Sequence, residues 1–227
     1  LFILGKQFRV KRRKTGGFDY HGIEHALNDV HTVLAGDHQI GNTALALATV
    51  EILNRKKTTI TDRQIRDGLA QTHWPGRLEI VHQKPLIILD GAHNLIAARN
   101  LGRYLARNLD GRKLTMVIGI LDDKPYASML KSMLAACDRV ILTRATINRA
   151  LDPEVLYALA RPLVKETTII ADVGKAVAHA IKIAGPDEAI CVAGSLYVVG
   201  EAMEALNKRF KGSLLLPSDG GTAGRPG

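Results

Sequence analysis

Three residues in one short stretch, Arg77, Asp90 and His93, have the types and the spacing for chemistry. Arg77 follows Pro75-Gly76, and a planar guanidinium held after such a turn can clamp a phosphate through two parallel N–H bonds. The competing reading is an arginine solvated in a turn. Asp90 ends the apolar run Leu86 to Leu89, where an unpaired carboxylate would be costly, so capping the next helix is one role open to it. His93, three residues on, is close enough to share the same cleft. It is either a satisfied core histidine or a donor and proton-handling group. Asn94 reads as a helix cap. The Asp-x-x-His pair could also ligate a metal, but two candidates make an incomplete set.

These side chains need a scaffold, and the surrounding pattern supplies one. Leu78 to Val81 and Leu86 to Leu89 are strand-like; the second is continuously apolar, as in a strand covered on both faces of a parallel sheet. Ligands in open α/β sheets bind beyond the carboxyl ends of strands, where Asp90 and His93 fall. Strands are expected at 86–89, 114–120, 139–143, 167–171 and 189–193. Helices are expected at 94–108, 124–136, 153–164, 173–184 and 196–209. Asp152 before Pro153, Asp172 and Ser195 stand where N-caps belong. Such alternation predicts βαβ units and a doubly wound, Rossmann-like sheet. Ser195 either caps the last helix or marks a helix N-terminus suited to a carboxylate ligand. Asp122, Asp123 and Lys124 follow another strand end and could line the same cleft, with capping before Pro125 the favoured reading for the two aspartates; Tyr197 reads as core.

Residues 1–75 read differently. Short strands are expected at Phe2–Val10, near Phe18–Tyr20 and at Thr32–Leu34. Asp37 then caps a largely buried helix from Gln39 to Leu53, and Thr61 to Gln64 forms a capping box before a helix from Asp62 to Gln71. Asn42, one turn into the apolar helix, is a cap, a surface amide or a ligand contact. The segment lacks a long βαβ series, so it reads as the tail of another domain, with a boundary near residues 73–78. Serine, glycine and proline from Gly212 onward predict a flexible tail over 212–227.

The motifs WPGRLE at 74–79 and LDGAHN at 89–94 resemble the C-terminal half of folylpolyglutamate synthase/dihydrofolate synthase, relatives of the Mur peptidoglycan ligases. GDHQIGNTALAL at 36–47, GILDDKP at 119–125 and GSLYVVGEA at 194–202 agree in order and spacing. The resemblance implies that residues 1–75 are the end of a central ATP-binding domain and 76–211 a Rossmann-like C-terminal ligase domain. It implies ATP-dependent ligation of L-glutamate to a reduced folate or to dihydropteroate through an acyl phosphate, with magnesium. Arg77 would meet the nucleotide phosphates, and Asn42 the base. Asp90 would accept from Arg77 or a ribose hydroxyl, His93 would act near the acyl phosphate or incoming glutamate, and Ser195 would lie near glutamate. It also implies a monomer. One departure is Leu95, where the family motif has proline. The family's phosphate loop, magnesium ligands and carbamylated lysine belong to an N-terminal ATPase region not represented here, so the chain alone is expected to be inactive.

Composition agrees with an ordinary globular protein of 227 residues, 46% hydrophobic and 23% charged, with no apolar run near the ~20 residues a membrane helix needs. The start, LFILGKQFRV, has no methionine and no signal-peptide layout, and reads as a strand already under way, so a fragment or trimmed chain is expected. Cys137 and Cys191 read as buried reduced thiols, which suits the cytoplasm. The net charge of +9 is partly local, in Arg9, Lys11, Arg12, Arg13 and Lys14. Without interleaved aromatics this run reads as a solvated loop between strands, ahead of attraction to polyanionic substrates and of nucleic-acid binding. A phosphate loop, a dinucleotide fingerprint, a zinc motif and a hydrolase elbow are all absent from the sequence. Two alternatives stay open: a Mur-type ligase acting on a nucleotide-linked sugar, and a nucleic-acid-binding module.

Overall fold

The structure, a computed structural model, describes residues 1–14, 16–56, 58–109, 111–210 and 214. Apart from Leu214, the expected tail lies outside the described residues. The chain divides into two compact units, Leu1–Trp74 and Pro75–Gly227.

In the first unit, β1 (Arg9–Arg12), β2 (Phe18–His21) and β3 (Ala26–Val30) form an antiparallel sheet in that order. Phe18, Tyr20, Leu27 and Val30 alternate to one face and pack with Ala44, Leu47 and Ala48 of α1 (His38–Asn54). Ile65 and Leu69 of α2 (Asp62–Gln71) close the edge of this core. Glu51 of α1 latches the turn before β3 by accepting from the amides of Ile23, Glu24 and His25. The capping box forms as expected: the Thr61 hydroxyl accepts from the Gln64 amide at 3.3 Å, and the Gln64 side chain accepts from the Thr61 amide at 2.9 Å.

Several expectations for this unit are corrected. The strand expected over Phe2–Val10 begins only at Arg9, because Gly5 (φ +90°) turns the chain and donates to the Phe8 carbonyl at 2.7 Å. No strand forms at Thr32–Leu34: the pairing partner of β2 is Ala26–Val30, and Val33 is 60% exposed, with no face to bury it. The basic run is only partly a loop, with Arg13 and Lys14 in the connection between β1 and β2. Arg9, Lys11 and Arg12 lie in β1, Arg12 pairs with Asp37, and Arg13 pairs with Asp19 and Asp29. Asp37 stands at the N-cap position of α1, yet its carboxylate takes Arg12 instead of capping. That helix buries one face only, since Leu45 and Leu53 are exposed.

The second unit holds a six-stranded sheet of β4 (Glu79–Gln83), β5 (Leu86–Asp90), β6 (Leu114–Ile118), β7 (Arg139–Leu142), β8 (Glu166–Ile169) and β9 (Ala189–Ala193). Its order is β4-β5-β9-β6-β7-β8. Five strands run parallel; β4 is antiparallel to β5, a departure from the purely parallel expectation that follows from the short connection between them. α6 (Val173–Ile183) and α7 (Leu196–Phe210) pack on the face formed by Val81, Ile87, Leu89, Val117, Ile141, Ile190 and Val192. The residues that alternate with these, Ile88, Met116, Ile118, Val140, Leu142 and Cys191, are equally buried. They form the other face, left to α3 (Leu95–Asn108), α4 (Tyr126–Met133) and α5 (Pro153–Ala160), as a doubly wound sheet requires.

Caps at Asn94, Asp152 and Asp172 form as the sequence predicts. Asp122 and Asp123 do not cap: Pro125 takes the N-cap position of α4, and Asp123 pairs with Lys124 and Arg149. Tyr197 is not core but 48% exposed, because it lies in the first turn of α7 beyond the sheet. Neither cysteine is disulfide-bonded; Cys191 is buried and Cys137 half-buried, and burial pushes the Cys137 thiol up to about 12. Among the described residues, no helix is long and apolar enough to cross a membrane.

Candidate functional site

The topology of the second unit selects one end of its sheet. β9 is inserted between β5 and β6, with Asp90 and Ile118 both in register with Ala193. The segments leaving these three strands, 90–94, 194–195 and 119–125, therefore start side by side at the carboxyl edge, where doubly wound sheets bind ligands. Two glycines make the approach close. A Cβ on Gly194 (φ +105°) would stand 2.6 Å from the Gly119 carbonyl oxygen, and one on Gly119 would stand 2.7 Å from that of Thr143.

Asp90 is 7% exposed, and both its oxygens are engaged by backbone. Oδ2 accepts from the Leu78 amide at 2.9 Å and Oδ1 from the Ala92 amide at 2.9 Å. Burial pushes its carboxyl up to about 6, opposed by these two amides and by the positive charge of Arg77 and His93. Asp90 thus neither caps α3, which Asn94 does, nor accepts a hydrogen bond from Arg77.

Gly91 ties the rest together. Its amide donates to the Gly76 carbonyl at 2.7 Å. Its carbonyl accepts from Arg77 Nη1 at 3.2 Å and from His93 Nδ1 at 2.8 Å. A carbonyl can only accept, so His93 donates from Nδ1 and leaves Nε2 for a ligand. Arg77 uses one of its five N–H groups on Gly91, which leaves most of the guanidinium fork for an anion. Such an arrangement suits binding of an oxyanion by Arg77 beside a group able to accept or donate a proton.

Ser195 also lies at this edge, but its hydroxyl is 1% exposed and accepts from the Val198 amide at 3.1 Å as the N-cap of α7. Leu196, half exposed, packs against Gly91: a Cβ there would meet Leu196 Cδ2 at 2.4 Å. Asn42 belongs to the first unit, where its Nδ2 donates to Gln39 Oε1 at 2.9 Å in the first turn of α1. The structure thus brings Arg77, Asp90, His93 and Ser195 to one sheet edge of the second unit, while Asn42 sits in the other unit. Two contributors escape a reading of side-chain types: the Leu78 amide and the Gly91 carbonyl. The glycine in Asp-Gly-Ala-His-Asn was the available signal for the second; leucine at 78 carries none for the first. Among the described residues, no cluster of three or more histidine, cysteine or acidic side chains could hold a metal ion.

A family model described as "Mur ligase, glutamate ligase domain" matches residues 76–196. The chain is 32% identical over 207 residues to the folylpolyglutamate synthase of Lacticaseibacillus casei, covering 88% of this chain and 47% of that protein. Among solved structures it is similar to E. coli FolC in complex with DHPP and ADP, with a TM-score of 0.80, 25% identity, and coverage of 91% of this chain and 47% of the other. It is also similar to the bifunctional folylpolyglutamate synthase/dihydrofolate synthase of Yersinia pestis complexed with AMPPNP and Mn ion, at a TM-score of 0.75 and 25% identity, covering 91% and 47%. The chain spans about half the length of these relatives.

Proposed function

Since the chain belongs to the Mur ligase family by its glutamate ligase domain, we propose that it serves an ATP-dependent ligase joining L-glutamate to a reduced folate, to dihydropteroate, or to both. The observation that carries this reading is the convergence of Arg77 and His93 on the Gly91 carbonyl, inside the matched residues. Relatives that are folylpolyglutamate and dihydrofolate synthases supply the substrate class. They leave the sugar-nucleotide ligase and the nucleic-acid module unfavoured. Residues 1–75 are read as the end of a central ATP-binding domain and 76–211 as the ligase domain, in a monomeric cytoplasmic enzyme.

In the reaction, a substrate carboxylate attacks the γ-phosphorus of ATP and becomes an acyl phosphate as ADP departs. The glutamate amine then attacks that carbonyl, loses a proton and expels phosphate. Charge builds on phosphate oxygens in both steps, and a preorganised guanidinium is the group that stabilises it. Arg77 takes that role. His93, with Nε2 as acceptor, takes the proton of the attacking amine or orients it. Asn42 is assigned to the nucleotide base; one N–H of Nδ2 is used on Gln39, which leaves its second N–H and Oδ1 for the base. Ser195 is buried, with its oxygen accepting from the Val198 amide, so a glutamate carboxylate would use the first-turn amides of α7. ATP-driven ligases of this kind work with a divalent cation, which neutralises phosphate charge. Among the described residues no group of three or more histidine, cysteine or acidic side chains is gathered to hold it.

The test uses the complete gene product with ATP, magnesium and glutamate, following ADP release. Dihydropteroate, tetrahydrofolate and a Mur precursor are offered in separate reactions. Turnover with either pterin is expected; turnover with the sugar nucleotide alone would overturn the folate assignment.

A further inference from the structure

Arg77 stands between two residues of positive φ, Gly76 at +66° and Leu78 at +49°. For glycine this conformation costs little; for leucine it is strained, and the strain must be held by surrounding contacts. The contacts are visible. Leu78 is 5% exposed, and its amide donates to Asp90 Oδ2 at 2.9 Å. The other carboxylate oxygen holds the Ala92 amide, and between them the Gly91 amide binds the Gly76 carbonyl. Two of these amide hydrogen bonds cross between the turns and the third fixes the Asp90 carboxylate, and Arg77 projects from the middle of the lacing. Leu78 lies before the first ladder pair, Glu79 with Leu89, so Asp90 is what secures its amide.

We propose that Asp90 is a positioning residue: by holding the Leu78 and Ala92 amides it fixes the left-handed turn at Leu78 and thereby the direction of the Arg77 guanidinium. The proposal rests on the ligase reading for the role of Arg77, but the lacing itself does not. Asp90 acts on the reaction through Arg77.

Two experiments test this. In the complete ligase, Asp90→Asn keeps one acceptor and loses the other, so kcat falls about 10- to 100-fold, the effect of one buried amide left unsatisfied. The KM for ATP stays nearly unchanged. Combined with Arg77→Ala, it adds nothing beyond about twofold, since both act through one group. Independent losses in the double variant would overturn the proposal. So would a raised KM for ATP whose difference from wild type vanishes with a deoxyribose nucleotide. The second experiment needs no activity: amide hydrogen exchange on this chain. The wild-type Leu78 amide is expected to be protected, and Asp90→Asn to accelerate it at least tenfold while Ile88 in β5 stays slow. A wild-type Leu78 amide that exchanges as an open amide would sink the proposal, even if Asp90→Asn fails to fold. An inactive complete protein with a protected Leu78 amide would sink the ligase reading and leave the lacing intact.

Discussion

Burial of Asp90 makes a quantitative prediction about stability against pH. The folded-state carboxyl is pushed up to about 6 from an ordinary 3.8, chiefly by desolvation at 7% exposure. Between those values the folded chain holds the proton more tightly than the unfolded chain does. Stability from this group is therefore fully present below pH 3.8 and is lost as pH rises through 6. A difference of about two units corresponds to roughly 3 kcal/mol. Asp90→Asn removes the titration while leaving one of the two amides without an acceptor, a fixed cost of about 1–3 kcal/mol at any pH. The difference in unfolding free energy, wild type minus variant, should therefore shrink by roughly 2.4 kcal/mol from pH 4 to pH 7. Urea melts of both proteins across that range measure it, and the subtraction cancels every other titrating group. A flat difference would refute the reasoning, because Asp90 would then ionise as an exposed carboxylate does.

Three more outcomes are expected. In the complete enzyme, Arg77→Ala should lower kcat by about 10²- to 10³-fold, the range for losing one preorganised oxyanion donor, as read by ADP release. Gly194→Ala places a Cβ 2.6 Å from a backbone carbonyl at a φ of +105°, so stability by urea unfolding should fall by about 2 kcal/mol or more. Thr61→Ala breaks the capping box and should cost about 1 kcal/mol in the same assay, with no change in ligase rate.

The second unit was legible in the sequence because its elements are long, buried on both sides and separated by clear caps. The strand AICVA at 189–193 falls where the apolar run places it, and Asp152, Asp172 and Asn94 cap as their side chains suggest. Legibility fails where pairing is decided by distant partners. Thr32 and Val33 look like strand residues, but β2 finds its neighbour in Ala26–Val30. The same holds at the site. Arg77, Asp90 and His93 stand out by type, whereas the bonds that organise them run through backbone atoms of Leu78 and Gly91, to which side-chain chemistry gives no clue. Tyr197 reads as internal because it is an aromatic inside an apolar helix pattern, although it belongs to the first turn, which projects past the sheet.

The place of β9 also governs the order in which this unit can be built. On the ribosome, β5 and β6 are made long before the strand that joins them. Asp90 and its register partner Ala193 are separated by 103 residues, roughly 5–20 s of synthesis. Until β9 emerges, the nascent chain holds two apolar strand edges that cannot meet each other, each open to pairing with foreign chains. The sheet is sealed by its final strand, so completion of folding follows completion of the domain, and a chain stalled before residue 189 has no continuous sheet to fold into.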